Sequence, residues 1–359
     1  MYNVPIKANV CKKGRNEMKG NSTLKYIAKE MGISVSTVSR ALNGKSVVKE
    51  ETRQKVLKMA KKYAYVPNEI ARSLQKSSTE TIAVVLPDIS EIFFAKIVKE
   101  LEREMVKYGY MIILADSNEK AEKEIKYVEM LYRRRVDALV LATVDCTGES
   151  AKPFLESDTP VVFIDNVPEL CGIDVVTVNN VDASRMAIEH LISSGHRKIS
   201  VIIGSKTETT GLERLEGYRK GLEENSIEIN EALIEYGDYK AESGYNAMMR
   251  LLENKKQNDF SAVYVTSEKM TYGAIRAIRE KGLRIPEDIS IVGFDVHNFT
   301  DDRQQIITTV CQPEESIGSQ VAKLLVERLK QEGQEHEAIK TRLLLEPFLT
   351  AGDTVKIIK

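Results

Sequence analysis

The sequence predicts a small all-α head followed by a large α/β body of two similar lobes. Three observations carry this expectation. Apolar residues between positions 24 and 63 recur at helical spacing. From Thr81 onward, short apolar strands alternate with amphipathic helices, and the alternation occurs twice. Charge is also split: residues 1–78 carry a formal +12 and the remainder −13. A basic head on an acidic body points to a polyanionic partner for the head. A length of 359 residues suits two or three domains, and 42% hydrophobic with 29% charged content suits large globular cores.

Several function classes are disfavoured. No apolar run reaches the roughly 18–20 residues of a membrane helix, and the basic start lacks a signal-peptide core. Cys11, Cys146, Cys171 and Cys311 are scattered, as are His190, His196, His297 and His336. That spacing predicts no metal site and reads as reduced thiols in the cytoplasm. Pro-Asp-Ile-Ser follows Ile82–Leu86, and Gly-Ser-Lys-Thr follows Ile199–Ile203. Neither is a dinucleotide or phosphate-loop fingerprint, and no nucleophilic triad has local support. No cofactor and no enzymatic activity are expected.

In the head, Leu24, Ile27, Ala28 and Met31 form one helical stripe, with Thr23 as the expected N-cap. Gly32 permits a tight turn, Ile33 plugs the interhelical angle, and Ser34 caps a second helix. There Val38, Ala41 and Leu42 face inward, while Val35, Ser36, Ser39 and Arg40 face outward. This is a helix-turn-helix, whose second helix enters the DNA major groove. Arg40 suits either guanine or a phosphate. A third helix is expected over Glu50 to Tyr63, with Val56, Met59, Ala60 and Tyr63 buried.

The run Gly32-Ile33-Ser34, Thr37-Val38-Ser39-Arg40, Asn43-Gly44, then Pro67-Asn68 and Ala71-Arg72-Ser73-Leu74 resembles the lactose-repressor (LacI/GalR) family of transcriptional regulators. The resemblance spans about residues 22–350. It implies DNA contacts from Thr23, Ser34, Val35, Ser36, Thr37, Ser39, Arg40, Asn43, Asn68, Ala71 and Leu74, with Val35, Ser36 and Arg40 reading bases; a core place for Val35 and a phosphate contact for Ser36 stay open. Residues 68–75 resemble the family's hinge helix, with Leu74 either wedged between base steps or packed between head and body. Lys49, Ala64 and Val66 depart from the family pattern. Expected boundaries are a basic disordered tail over 1–22, the DNA-binding domain over 23–67, and the hinge and linker over 68–78. Residues 1–17 read as a native tail or as the product of a misplaced start codon. The effector-binding and dimerisation domain is expected over 79–359.

In the body, Ile82–Leu86 recurs as Ile199–Ile203, Tyr110–Ala115 as Ala232–Tyr236, Ala138–Leu141 as Ala262–Val265, and Val161–Ile164 as Ile289–Val292. Polar residues end these strands, where ligands of such sheets bind. The resemblance implies two Rossmann-like lobes of the type I periplasmic-binding-protein kind. It places lobe 1 at about 80–178 and 313–340, and lobe 2 at about 179–312 and 341–359, with crossovers near Thr309–Pro313 and Thr341. It implies effector contacts from Asp88, Phe93, Phe94, Asp165, Arg214, Ser267, Glu268 and Asp295. Alternatives stay open: Asp88 as a helix cap, Asp165 and Asp295 as turn residues, Arg214 paired with an acid, and one of Phe93 and Phe94 in the core. Glu91-Ile92, Ser267-Glu268, Val296 and Cys311 depart from the family pattern.

The expected function is a sequence-specific regulator, a repressor by family habit, controlled by a small molecule such as a sugar. The expected partners are a pseudo-palindromic operator and a second copy of the chain, with the helix from Ala95 to Tyr108 at the dimer face; no membrane partner is expected. Alternatives are control by a purine or a protein corepressor, or a plain solute-binding protein.

Overall fold

The computed structural model describes residues 20–42, 48–63, 65, 78–170, 172–255, 259–297, 305–331 and 340–358. It divides into a head unit and a body unit, with the division between Thr79 and Glu80.

The head contains α1 (Gly20–Met31), α2 (Val35–Leu42) and α3 (Glu50–Lys62). Ile27 and Ala28 from α1, Val38 and Ala41 from α2, and Val56 and Ala60 from α3 meet in one apolar core. Gly32 turns the chain at φ +64°, a conformation that strains residues with a Cβ. Ile33 N–H then returns to Ala28 O at 3.1 Å. Ser34 Oγ accepts from Thr37 N at 3.1 Å and caps α2. α1 begins at Gly20, so Thr23 lies within the helix rather than at its N-cap. That also moves the start of the folded head upstream of the expected boundary at residue 23. Lys49 precedes α3 without a side-chain cap; Glu50 and Glu51 occupy the first turn, where the helix dipole favours carboxylates.

The body holds two six-stranded sheets. The first uses β1 (Thr81–Leu86), β2 (Met111–Asp116), β3 (Ala138–Leu141), β4 (Val161–Ile164), β5 (Asp174–Val178) and β11 (Arg342–Leu345). The second uses β6 (Ile199–Ile203), β7 (Ile234–Tyr236), β8 (Ala262–Val265), β9 (Ser290–Phe294), β10 (Thr308–Cys311) and β12 (Phe348–Thr350). Their spatial orders, β2-β1-β3-β4-β5-β11 and β7-β6-β8-β9-β10-β12, match position for position. All pairings are parallel except β10 with β12. Central strands β1, β3, β6 and β8 are buried throughout, because helices cover both faces of a parallel sheet.

The relevant body helices are α4 (Ile92–Met105), α5 (Ala121–Arg133), α6 (Lys152–Leu155), α7 (Asn180–Ser193), α8 (Thr209–Glu224), α9 (Ala241–Glu253), α10 (Glu268–Glu280) and α11 (Glu314–Gln331). α4 thus starts before the expected Ala95 and gives way to a 3₁₀ turn over Val106–Tyr108. The chain passes between lobes after β5, after β10 and after β11. The last passage falls at Glu346-Pro347 rather than near Thr341: β11 pairs in parallel with β5 and therefore belongs to lobe 1.

Candidate nucleic-acid interface and ligand cleft

On the head, Val35 is 40% exposed at the start of α2 and does not enter the core. Ser36 and Arg40 are exposed; Thr37 and Ser39 are half-buried. The Ser34 hydroxyl lies 2.7 Å from Ser36 Oγ and 2.8 Å from Thr37 Oγ1, so one cap organises three hydroxyls at the helix N-terminus. Buried Val38 and Ala41 fix the opposite face against α1 and α3. The outward face thus presents a small apolar group, hydroxyls, backbone N–H groups and a guanidinium, which suits base edges and phosphates. Asn43, Asn68, Ala71 and Leu74, like the Thr23 side chain, lie outside what the structure describes.

In the body, a cavity of about 550 Å³ opens at the carboxyl ends of both sheets. All eight expected effector residues contribute to its wall. Strand order reverses at β1 in one lobe and β6 in the other, so the loops after these strands diverge and leave the crevice.

Arg214, 5% exposed on α8, donates from Nε to Asn180 Oδ1 and from Nη1 to Thr266 O, both at 2.9 Å. Its guanidinium carbon lies 3.8 Å from the centroid of Phe294, a cation–π contact. Protein acceptors thus take two of its five N–H donors, with no carboxylate within 4 Å among the described residues.

Asp165 and Asp295 follow β4 and β9 at φ 62° and 52°. Each is therefore a turn residue and a cleft residue at once. Asp295 accepts from Gln312 N at 2.7 Å and Gln312 Nε2 at 2.6 Å. Burial still pushes its pKa up to about 6. Burial also raises that of Asp165, against the pull of Arg214.

Asp88 Oδ1 accepts from Ser90 N at 2.8 Å, making a local turn, while Glu91 occupies the helix N-cap position. Burial acts against the charged form of Asp88, but Lys269 and Ser90 hold its pKa below the ordinary value. Ser267 Oγ caps α10 by accepting from Met270 N. Glu268 Oε1 accepts from His297 N at 2.9 Å. Phe93 and Phe94 meet edge to face at 4.9 Å; both belong to the lobe 1 core and both contribute to the wall.

Several wall residues escaped the sequence reading: Glu119, Lys206, Glu208, Tyr239, Lys240, Lys269 and Gln312. Lys240 of lobe 2 pairs with Glu119 of lobe 1 at 2.9 Å. Asn166 Oδ1 of lobe 1 accepts from Thr209 N at 2.9 Å and Thr209 Oγ1 at 2.6 Å. A signal was available for one of them, since Glu91 and Glu208 are separated by the 117 residues that separate β1 from its repeat.

Residues 79–347 match the family described as periplasmic binding proteins and sugar binding domain of the LacI family. Residues 23–68 match bacterial regulatory proteins, lacI family. The chain is 33% identical, over 94% of its length and 99% of the relative, to the HTH-type transcriptional repressor PurR of Haemophilus influenzae (strain PittEE). Two solved structures are similar. One is a complex of the transcriptional regulator CelR with cellobiose, at TM-score 0.70 and 30% identity, covering 92% of this chain and 99% of that one. The other is the lac repressor dimer bound to operator and the anti-inducer ONPF, at TM-score 0.79 and 26% identity, covering 92% and 98%.

Proposed function

The chain belongs to the LacI family of bacterial regulatory proteins, and from that premise we propose how its own residues carry out regulation. It is a DNA-binding transcriptional repressor under small-molecule control. Val35, Ser36 and Arg40 read base edges in the major groove, while Ser34, Thr37 and Ser39 set the helix against the phosphates. Two copies bind the two halves of a pseudo-palindromic operator. Support for the dimer comes from exposed apolar side chains at the edge of lobe 1, where Val106, Tyr108, Met111 and Leu114 are all more than 40% exposed.

The effector occupies the cleft, with Arg214, Asp165 and Asp295 as polar anchors and Phe93, Phe94 and Phe294 as apolar wall. Its binding shifts the angle between lobes, which alters the hinge and the spacing of the two heads. A coupling of about 1–3 kcal/mol is typical of such control. The protein acts in the cytoplasm, where its operator lies. No described helix is long and apolar enough to cross a membrane.

The observation that carries this reading is a ligand-sized cleft, contacted by both lobes, in a chain whose head exposes Val35, Ser36 and Arg40. Its test is operator affinity at fixed salt with and without sugars and nucleobases, since affinity depends on salt. A sugar that shifts operator affinity supports the main reading. A second reading, control by a purine, is favoured by the PurR relative, and a shift by a nucleobase alone would select it.

A further inference from the structure

Glu91 and Glu208 are counterparts in the two lobes. Each follows the first strand of its sheet and stands at the N-cap position of the next helix. That position favours short side chains that bond back to the helix. Neither glutamate does so, and both carboxylates instead reach the cleft wall. Asp165 and Asp295 form a second matched pair, each directly after the fourth strand of its lobe in left-handed backbone. The internal repeat thus brings four carboxylates into one crevice from two pairs of equivalent loops.

Eight carboxylates and four cationic side chains line that crevice. Two of the cations are paired within it: Lys269 with Asp88 and Glu91, and Lys240 with Glu119. Arg214 gives two of its five N–H donors to Asn180 and Thr266, and the Lys206 ammonium lies 4.0 Å over the Tyr236 ring. Asp295 is satisfied by Gln312, Glu268 accepts from His297 N, and Asp238 accepts from Lys240 N. Asp165 and Glu208 remain: neither has an ion pair within 4 Å among the described residues, and the Asp165 carboxylate accepts no hydrogen bond from them. Burial, then the charge of Asp165, push Glu208 up to about 7. Unpaired carboxylates in a partly dry crevice disfavour an anionic guest and favour a cationic one. Phe93, Phe94, Phe294 and Tyr239 supply the apolar faces on which a ring can lie.

We propose that the cleft takes a polyhydroxylated ring bearing an ammonium group, an amino sugar or close analogue, with the ammonium held between Asp165 and Glu208. This rests on the reading of the cleft as the effector site and names the charge class of that effector.

The test is calorimetry on the full-length protein at neutral pH. The probes are glucosamine, galactosamine and mannosamine, each beside its neutral parent sugar and that parent's 6-phosphate. At least one amine is expected to bind at least about tenfold tighter than its parent. The double variant Asp165→Asn, Glu208→Gln is expected to erase that preference while keeping Tm and operator binding; asparagine tolerates the left-handed backbone. Equal or tighter binding of a parent or phosphate overturns the proposal, as does silence of all three amines up to about 10 mM. The two readings fail separately. A neutral sugar that binds more tightly than its amine and shifts operator affinity removes the ammonium but keeps the regulator. An amine that binds preferentially in a protein whose DNA binding ignores it keeps the ammonium site but removes the regulatory reading.

Discussion

Lys269 of lobe 2 places its ammonium 2.5 Å from Asp88 Oδ2 of lobe 1, with Glu91 Oε1 at 3.4 Å. With Lys240–Glu119 at 2.9 Å, this pair ties the lobes together across the cleft mouth. The groups are about one-quarter to one-third exposed, which limits the pair to about 0.5–1 kcal/mol. Lys269→Met is therefore expected to open the cleft modestly, without unfolding the body. Small-angle scattering checks this: the radius of gyration should rise relative to wild type, and high salt should shrink the difference.

Arg40→Ala is expected to cost about 1–3 kcal/mol in operator binding and to relax base preference at one position of each half-site. Binding to random DNA should change far less. Competition binding at one salt concentration checks both, and an equal loss on both DNAs would make Arg40 a phosphate contact only.

Asp295 and Arg214 differ in what their removal leaves behind. Asp295→Ala strips two buried donors of Gln312 of their acceptor, at about 1–3 kcal/mol of stability. It is expected to lower Tm as well as ligand response. Arg214→Met removes the guanidinium over Phe294 and strips two buried acceptors, Asn180 Oδ1 and Thr266 O, of their donor, so it too is expected to lower Tm and to lose ligand response, with DNA binding by the head intact. Thermal melts beside ligand-dependent operator binding check both.

Stability should fall as pH rises from mildly acidic to alkaline. His297 Nε2 lies 3.0 Å from Glu314 Oε1, and Nδ1 lies 3.3 Å from Glu268 Oε1 without hydrogen-bond alignment. The carboxylates of Glu268 and Glu314 raise its pKa to about 9. A raised histidine pKa gives stability that is full below the unfolded value near 6.5 and is lost as pH rises through about 9. Glu91, raised to about 7 by burial, acts in the same direction, because the native state holds its proton longer than the unfolded chain. Urea unfolding at several pH values checks this, and His297→Gln should flatten the slope on the alkaline side.

The parallel lobes and the helix-turn-helix were legible because they rest on local periodicity and turn chemistry. Ser34 could be read as a cap, and Val38 and Ala41 as core, from spacing alone. Thr23 misled because a hydroxyl in a helix's first turns looks the same in sequence as one at its cap. The last crossover was misplaced because Arg342–Leu345 alternates exposed and half-buried residues, a pattern that does not say which sheet the strand joins. Lys269 and Lys240 stayed hidden because their partners are remote in sequence and meet only when the lobes face each other. Glu208 was reachable, since the repeat offset maps Glu91 onto it.

Sequence-specific DNA binding is tested most directly by selecting genomic fragments with the purified full-length protein at two fixed salt concentrations. A single inverted-repeat motif is expected at both. Fragments that share no motif and are lost at the higher salt would mean that the head binds DNA without reading its sequence.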